Sequence, residues 1–227
     1  MEFFETTLDN GLEVVAEYNP QAHSAALAFF VKTGSRDECD ENWGVSHFLE
    51  HMVFKGTPRR SAADVNRELD EIGSNANAFT SEEQTVYYAP ILPEYQRKAM
   101  DILSDILRPS LREDDFNTEK KVILEEIAKY EDQPPFGAHE KTMARHFANH
   151  PLGRSVLGTV NSVGDLTPEQ MRSYFEQRYS PSNITLVATG KVDYDDLVKQ
   201  AEQTCGHWER FEAPRETPRA AASENFD

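Results

Sequence analysis

The chain has 227 residues, enough to bury one sizeable core without disulfide or metal staples. Its 40 acidic residues against 23 basic ones give a net charge of -17, which argues against nucleic acid or an anionic membrane as the main partner, since both call for a basic face. No apolar run reaches membrane-spanning length, and two cysteines, Cys39 and Cys205, are too few for a disulfide framework and read as free thiols.

The acidic start, MEFFETTLDNG, does not have the pattern of a signal peptide, so a cytoplasmic location is expected, or a periplasmic one if a leader has been removed. Phe3–Leu8 and Leu12–Tyr18 read as a hairpin turned by Asp9-Asn10-Gly11. The apolar run from Ser24 to Thr33 predicts a central strand. Gly44 to Phe54 and Ser61 to Ile72 predict helices, the second capped by Ser61 and closed by Gly73. Residues 75–92 read as largely extended, and Pro93 opens a helix to about Leu107. Further helices are expected from Asp114 to about Glu131, stopped before Pro134-Pro135, from Ala138 to Ala148, from Thr167 to Arg178 and from Asp193 to Cys205. An apolar strand fills Asn183–Thr189. From Ala213 onward the composition is that of a linker, which gives a domain over 1–212 and a tail over 213–227. Strands and helices mix without strict alternation, so the fold class is α+β.

The chemistry concentrates in His47-Phe48-Leu49-Glu50-His51. Residues four apart share a helix face, about 6 Å along the axis, so two imidazoles can converge on one Zn²⁺. Glu50 lies three residues after His47, where its carboxylate reaches the open side of such a site without being a ligand and suits a general base. Phe48, Leu49, Met52 and Val53 give this helix a buried side. A third ligand is required. Glu119 and Glu126, seven residues or two helical turns apart on one face, supply the candidates, with Val122 and Ile123 as an apolar floor between them and Glu125 turned away to solvent.

With these residues in view, the chain resembles the pitrilysin-type (M16) inverted-zincin metallopeptidases. GVSHFLEHMVFKGT is similar to the family's first zinc motif and EKKVILEEI to its second, and the resemblance spans nearly the whole chain. It implies a LuxS/MPP-like domain, with a mixed, mostly antiparallel sheet and helices packed on one face. It implies Zn²⁺ on His47, His51 and Glu126, Glu50 as catalytic base, and Glu119 supporting the ligands. NANAFTSEEQTVYY resembles the edge strand on which a peptide substrate adds as an extra strand, with Asn77, Ala78 and Phe79 along its backbone. The family pairs two such domains, in one chain or as subunits. The resemblance therefore makes this the N-terminal catalytic half, whose partner supplies an Arg and a Tyr that this half lacks; a homodimer is also compatible. Where processing-peptidase subunits carry an acidic pair for a basic substrate residue, this chain has Phe136 and Glu140.

The expected function is a zinc-dependent endopeptidase. The alternatives are a non-catalytic peptide-binding or assembly half of a heterodimeric peptidase, and a zinc lyase of the S-ribosylhomocysteine lyase type. The lyase needs a cysteine ligand, and neither Cys39 nor Cys205 stands in a matching context. The other histidines, His23, His139, His146, His150 and His207, read as surface residues, and Trp43 and Trp208 as packing.

Overall fold

The computed structural model describes residues 1–131 and 133–220. Its strands are β1 (Glu2–Thr7), β2 (Glu13–Tyr18), β3 (Ala25–Val31), β4 (Asn77–Thr80), β5 (Thr85–Ile91) and β6 (Ile184–Gly190). They form one sheet in the order β1-β2-β6-β3-β5-β4, antiparallel throughout except for the parallel pair β2 and β6. The helices are α1 (Val45–Val53), α2 (Ala62–Glu71), α3 (Gln96–Ile106), α4 (Glu113–Glu131), α5 (Pro134–Phe147), α6 (Val160–Asp165), α7 (Pro168–Arg178) and α8 (Tyr194–Cys205).

The period-2 alternation of the strands decides which face is buried. In β3, Ala25, Leu27, Phe29 and Val31 are buried while Ala26, Ala28 and Phe30 are half-exposed, and in β6 Ile184, Leu186 and Ala188 repeat the pattern. The helices cover that one face, with Ile102, Leu103 and Ile106 of α3 and Leu197 and Ala201 of α8 in the same core. This is the α+β, mostly antiparallel architecture expected from the sequence. At the far end of the sheet, Phe48 of α1 stacks on Phe116 of α4 with ring centroids 4.5 Å apart, which joins two helices more than sixty residues apart in sequence.

Local signals placed most elements. Ser61 and Thr167 close capping boxes with Asp64 and Gln170, and Asp193 caps α8. Two expectations need correction. The stretch 75–92 is not one extended run but two strands joined by a turn at Ser81–Gln84, where the Ser81 hydroxyl and the Gln84 carbonyl fold the chain back. Helix α5 starts at Pro134 rather than Ala138, because both prolines fall in the first turn, where a missing N–H costs nothing. Between α5 and α7, Val160–Asp165 forms the short helix α6, capped by Thr159.

Both cysteines are free, Cys39 exposed and Cys205 buried. Trp208 is buried under the Arg108 guanidinium, whose carbon lies 3.6 Å from the ring centre. Among the described residues, no helix is long and apolar enough to cross a membrane. The segment after α8 lies along the domain through residue 218: Arg178 donates to the Pro214 carbonyl at 2.6 Å, Arg215 pairs with Asp37, and His150 Nε2 lies 3.1 Å from the Pro218 carbonyl. Residues 221–227 of the expected tail lie outside the described residues.

Candidate metal centre and its surroundings

Helix α1 is buried on nearly all sides, with Val45, Phe48, Leu49, Met52 and Val53 fixed in the core. That packing fixes the rotation of the helix and turns His47 and His51 together toward α4. Their ring centroids are 4.7 Å apart. Ile123 and Ile127 of α4 are buried, and the same helix turns Glu119 and Glu126 toward α1. Glu126 Oε2 lies 3.9 Å from His47 Nε2 and 3.6 Å from His51 Nε2. One donor atom from each of His47, His51 and Glu126 lies within 4.8 Å of the others. Ligands at about 2.1 Å on a tetrahedral ion are about 3.4 Å apart, so the three atoms need only small shifts to share one ion.

The protonation states suit that use. Burial, with a smaller effect of the nearby His51, pulls the His47 pKa down to about 3. Its ring is therefore neutral at ordinary pH. Its Nδ1 is buried without a hydrogen-bond partner among the described residues. Glu119 does not join the convergent set. Its Oε1 lies 2.8 Å from His51 Nδ1, and its Oε2 pairs with Lys55 Nζ at 2.6 Å. Burial raises the Glu119 pKa, but these two partners outweigh it and hold the carboxylate below its usual range. A carboxylate on Nδ1 keeps the ring proton there and leaves Nε2 as the lone-pair nitrogen facing Glu126.

Glu50 stands on the same helix with a different environment. Burial raises its pKa, while the Thr80 hydroxyl, donating to Oε2 at 2.6 Å, and the nearby His51 lower it, and Glu126 raises it further. The net result is a carboxyl above its usual range, as a proton-shuttling group requires. Thr80 ends β4, so the hydrogen bond also joins the candidate base to the edge strand. Among the described residues, strand β4 pairs only with β5 and closes the sheet order, with Asn77 exposed, Ala78 half-buried and Phe79 46% exposed. No strand among the described residues pairs with its outer edge, which lies beside Glu50, and the Ala78 N–H donates to Asn77 Oδ1 at 2.9 Å.

Other expectations meet mixed outcomes. Glu125 is exposed, as read from its helix angle. Val122, expected as an apolar floor, is 46% exposed, because α4 buries the Ile123 side of the helix instead. Phe136 is 52% exposed, and Glu140 accepts a hydrogen bond from Ser155 at 2.6 Å. A cleft of about 730 Å³ beside Phe4, Tyr18 and Tyr194 contains none of the converging residues.

Sequence reasoning missed Lys55, Thr80 and Glu38. Glu38 is buried, and burial pushes its pKa up to about 7 despite the backbone N–H groups of Gly44 and Ser46 that it accepts.

The Insulinase (peptidase family M16) profile matches residues 13–160, and the peptidase M16 inactive-domain profile matches 165–225. The chain belongs to peptidase family M16. An uncharacterized zinc protease of Mycobacterium tuberculosis is 41% identical over 202 residues, 88% of this chain and 46% of that protein. A protein of Arabidopsis thaliana named "Probable mitochondrial-processing peptidase subunit beta" is 40% identical over 199 residues, 87% of this chain and 38% of its own length. The solved periplasmic protease PqqL of Escherichia coli superposes with a TM-score of 0.85 at 26% identity, covering 97% of this chain and 25% of PqqL. This M16 chain thus spans half or less of the length of these relatives.

Proposed function

We propose that this M16 domain is the zinc-binding, catalytic half of an endopeptidase. The observation that carries the reading is the convergence of His47 Nε2, His51 Nε2 and Glu126 Oε2 from two separate helices, with a His51–Glu119 contact behind them. Two imidazoles and one carboxylate are a donor set that suits Zn²⁺ in a catalytic site, leaving one position open. The neutral His47 ring, whose buried Nδ1 has no hydrogen-bond partner among the described residues, fits the same role. The relatives' naming as zinc proteases agrees with it.

An ion held by His47, His51 and Glu126 would supply Lewis acidity at the scissile carbonyl and its attacking water. The remaining work falls to the chain. The edge of β4 at Asn77, Ala78 and Phe79 takes an extended peptide as an added strand, and main-chain hydrogen bonds align the scissile bond with the site. Glu50 accepts a proton from the attacking water and returns it to the departing amine, so that one water and one peptide bond become a carboxylic acid and an amine. Thr80 holds Glu50 in place for both transfers.

We further infer that residues 1–212 form the zinc-binding domain and that it works beside a second M16-type domain, in the same chain or as a subunit. The inactive-domain match at 165–225 and the chain's span of half or less of its relatives support that pairing. His47, Glu50, His51 and Glu126 are all present, and the three candidate ligands His47, His51 and Glu126 converge, which favours a catalytic half over an assembly half. The absence of Cys39 and Cys205 from the converging set disfavours the lyase reading.

The experiment is Glu50→Gln in the protein paired with its second domain, assayed on a mixture of oligopeptides by mass spectrometry alongside elemental analysis. Zinc is retained and turnover falls by at least about a thousandfold. Retained cleavage would remove Glu50 as the base, and a zinc-free wild type would remove the metallopeptidase reading.

A further inference from the structure

The first turn of α1 is held by a carboxylate that the proposed chemistry does not use. Helix N-termini leave backbone N–H groups without intrahelical partners, and a Ser, Thr or Asp at the cap position usually satisfies them. In α1 the cap position is Gly44, with φ +93° and no side chain to offer. A Cβ at this position would lie 2.9 Å from the Leu157 carbonyl oxygen, so a conventional cap does not fit. The acceptor comes from outside the helix. Glu38 Oε2 accepts from the Gly44 N–H and Oε1 from the Ser46 N–H, both at 2.8 Å, with Glu38 only 5% exposed. The Ser46 side chain is fixed as well: its Oγ and the Thr33 Oγ1 each lie 2.7 Å from the buried Tyr174 Oη.

Glu38 is in turn held from several directions. Arg154 donates to its backbone carbonyl at 2.7 Å. The neighbouring Asp37 is pinned by Arg178 at 2.9 Å and Arg215 at 2.5 Å. The Ser35 and Arg36 N–H groups donate to the Ser81 and Glu82 carbonyls, in the turn that directly follows Thr80. A Cβ on Gly34 would stand 2.2 Å from the Ser81 oxygen, which shows how closely the two loops meet. One segment, 34–38, therefore ties the start of the histidine helix to the turn beside the partner of Glu50. Ser46 immediately precedes His47, so a shift of the first turn is carried directly to both imidazoles.

We propose that Glu38 is a positioning residue for the metal centre, gripping the Gly44 and Ser46 N–H groups so that α1 aims His47 and His51 at Glu126. The proposal rests on the metallopeptidase reading above. Productive metal geometry tolerates errors of only about half an ångström, and supporting groups of this kind typically alter metal affinity by about 10–100-fold. A glutamine keeps the shape but offers one oxygen, which sets an NH₂ against one of the two N–H groups. An aspartate keeps the charge but is one methylene too short to reach both.

The test compares wild type, Glu38→Gln, Glu38→Asp and Gln96→Ala. Gln96 is the control: its buried carboxamide grips the start of α8 through both backbone groups of Asp193, away from the metal helix. Zinc affinity is measured by competition with a chromophoric chelator, ligand geometry by the visible spectrum of the cobalt(II)-loaded chain, and folding by thermal melting of metal-free protein. Both Glu38 variants are expected to bind zinc at least about tenfold more weakly, with an altered cobalt spectrum, while Gln96→Ala binds as wild type does. If Glu38→Gln yields no folded protein, Glu38→Asp decides alone. Unchanged affinity and spectrum in the Glu38 variants overturn the proposal, as does an equal loss in Gln96→Ala, which would make Glu38 a general stabiliser. A wild type that binds no zinc defeats the underlying reading instead, and the two failures are thereby told apart.

Discussion

His51 bridges two glutamates of the same helix: its Nδ1 lies 2.8 Å from Glu119 Oε1, and its Nε2 lies 3.6 Å from Glu126 Oε2. Glu119 thus orients a ring that Glu126 faces. Glu119→Ala removes that orientation and strands Lys55, and zinc affinity should fall about 10–100-fold without loss of the fold. A chelator competition titration checks it, and an unchanged affinity would show that the ring needs no support.

The Thr80 hydroxyl is the one protein hydrogen-bond donor found on Glu50 among the described residues, and it favours the ionised form. Thr80→Val keeps the volume and removes the donor. The Glu50 pKa then rises further, and the acidic limb of the kcat/KM profile of the paired enzyme moves to higher pH. A limb that stays in place would assign it to another group.

Buried His47 carries a pH signature in the metal-free chain. Its folded-state pKa, about 3, lies below the unfolded value near 6.5. Stability is therefore fully present above about pH 6.5 and is lost as pH falls toward 3, because the unfolded chain takes up the proton first. Between pH 7 and pH 4.5, wild type should lose about 3 kcal/mol more than His47→Gln in urea unfolding with zinc removed. Parallel losses in the two proteins would mean that His47 is not desolvated.

The Phe48–Phe116 stack joins the two ligand-bearing helices, and both rings are fully buried. Phe116→Ala should cost about 3–5 kcal/mol in denaturant unfolding and also weaken zinc binding, since α4 then loses its apolar hold on α1. Zinc binding that stays unchanged in a destabilised Phe116→Ala protein would show that the ligands are aligned by other contacts.

Much of this was legible in the chain because the signals are short-range. Asp9-Asn10-Gly11 announces the first hairpin, Ser61 and Thr167 announce their helices, and the four-residue spacing of His47 and His51 places both on one face. Glu126 is 75 positions beyond His51, and residue spacing only narrowed the third ligand to a pair, Glu119 and Glu126; the resemblance chose between them. The parallel pairing of β2 with β6 and the grip of Glu38 on α1 depend on tertiary closure that no local pattern encodes. The start of α5 is hidden for a different reason: two adjacent prolines suit a stop, whereas in a first turn they are a start.

The most direct test of the whole account is zinc stoichiometry by elemental analysis after equilibrium dialysis of wild type, His47→Ala, His51→Ala and Glu126→Ala. One zinc per wild-type chain and near-complete loss in each variant is the outcome expected of a shared ion. A Glu126→Ala chain that holds zinc as tightly as wild type would contradict it, because the two helices would then not meet at a metal.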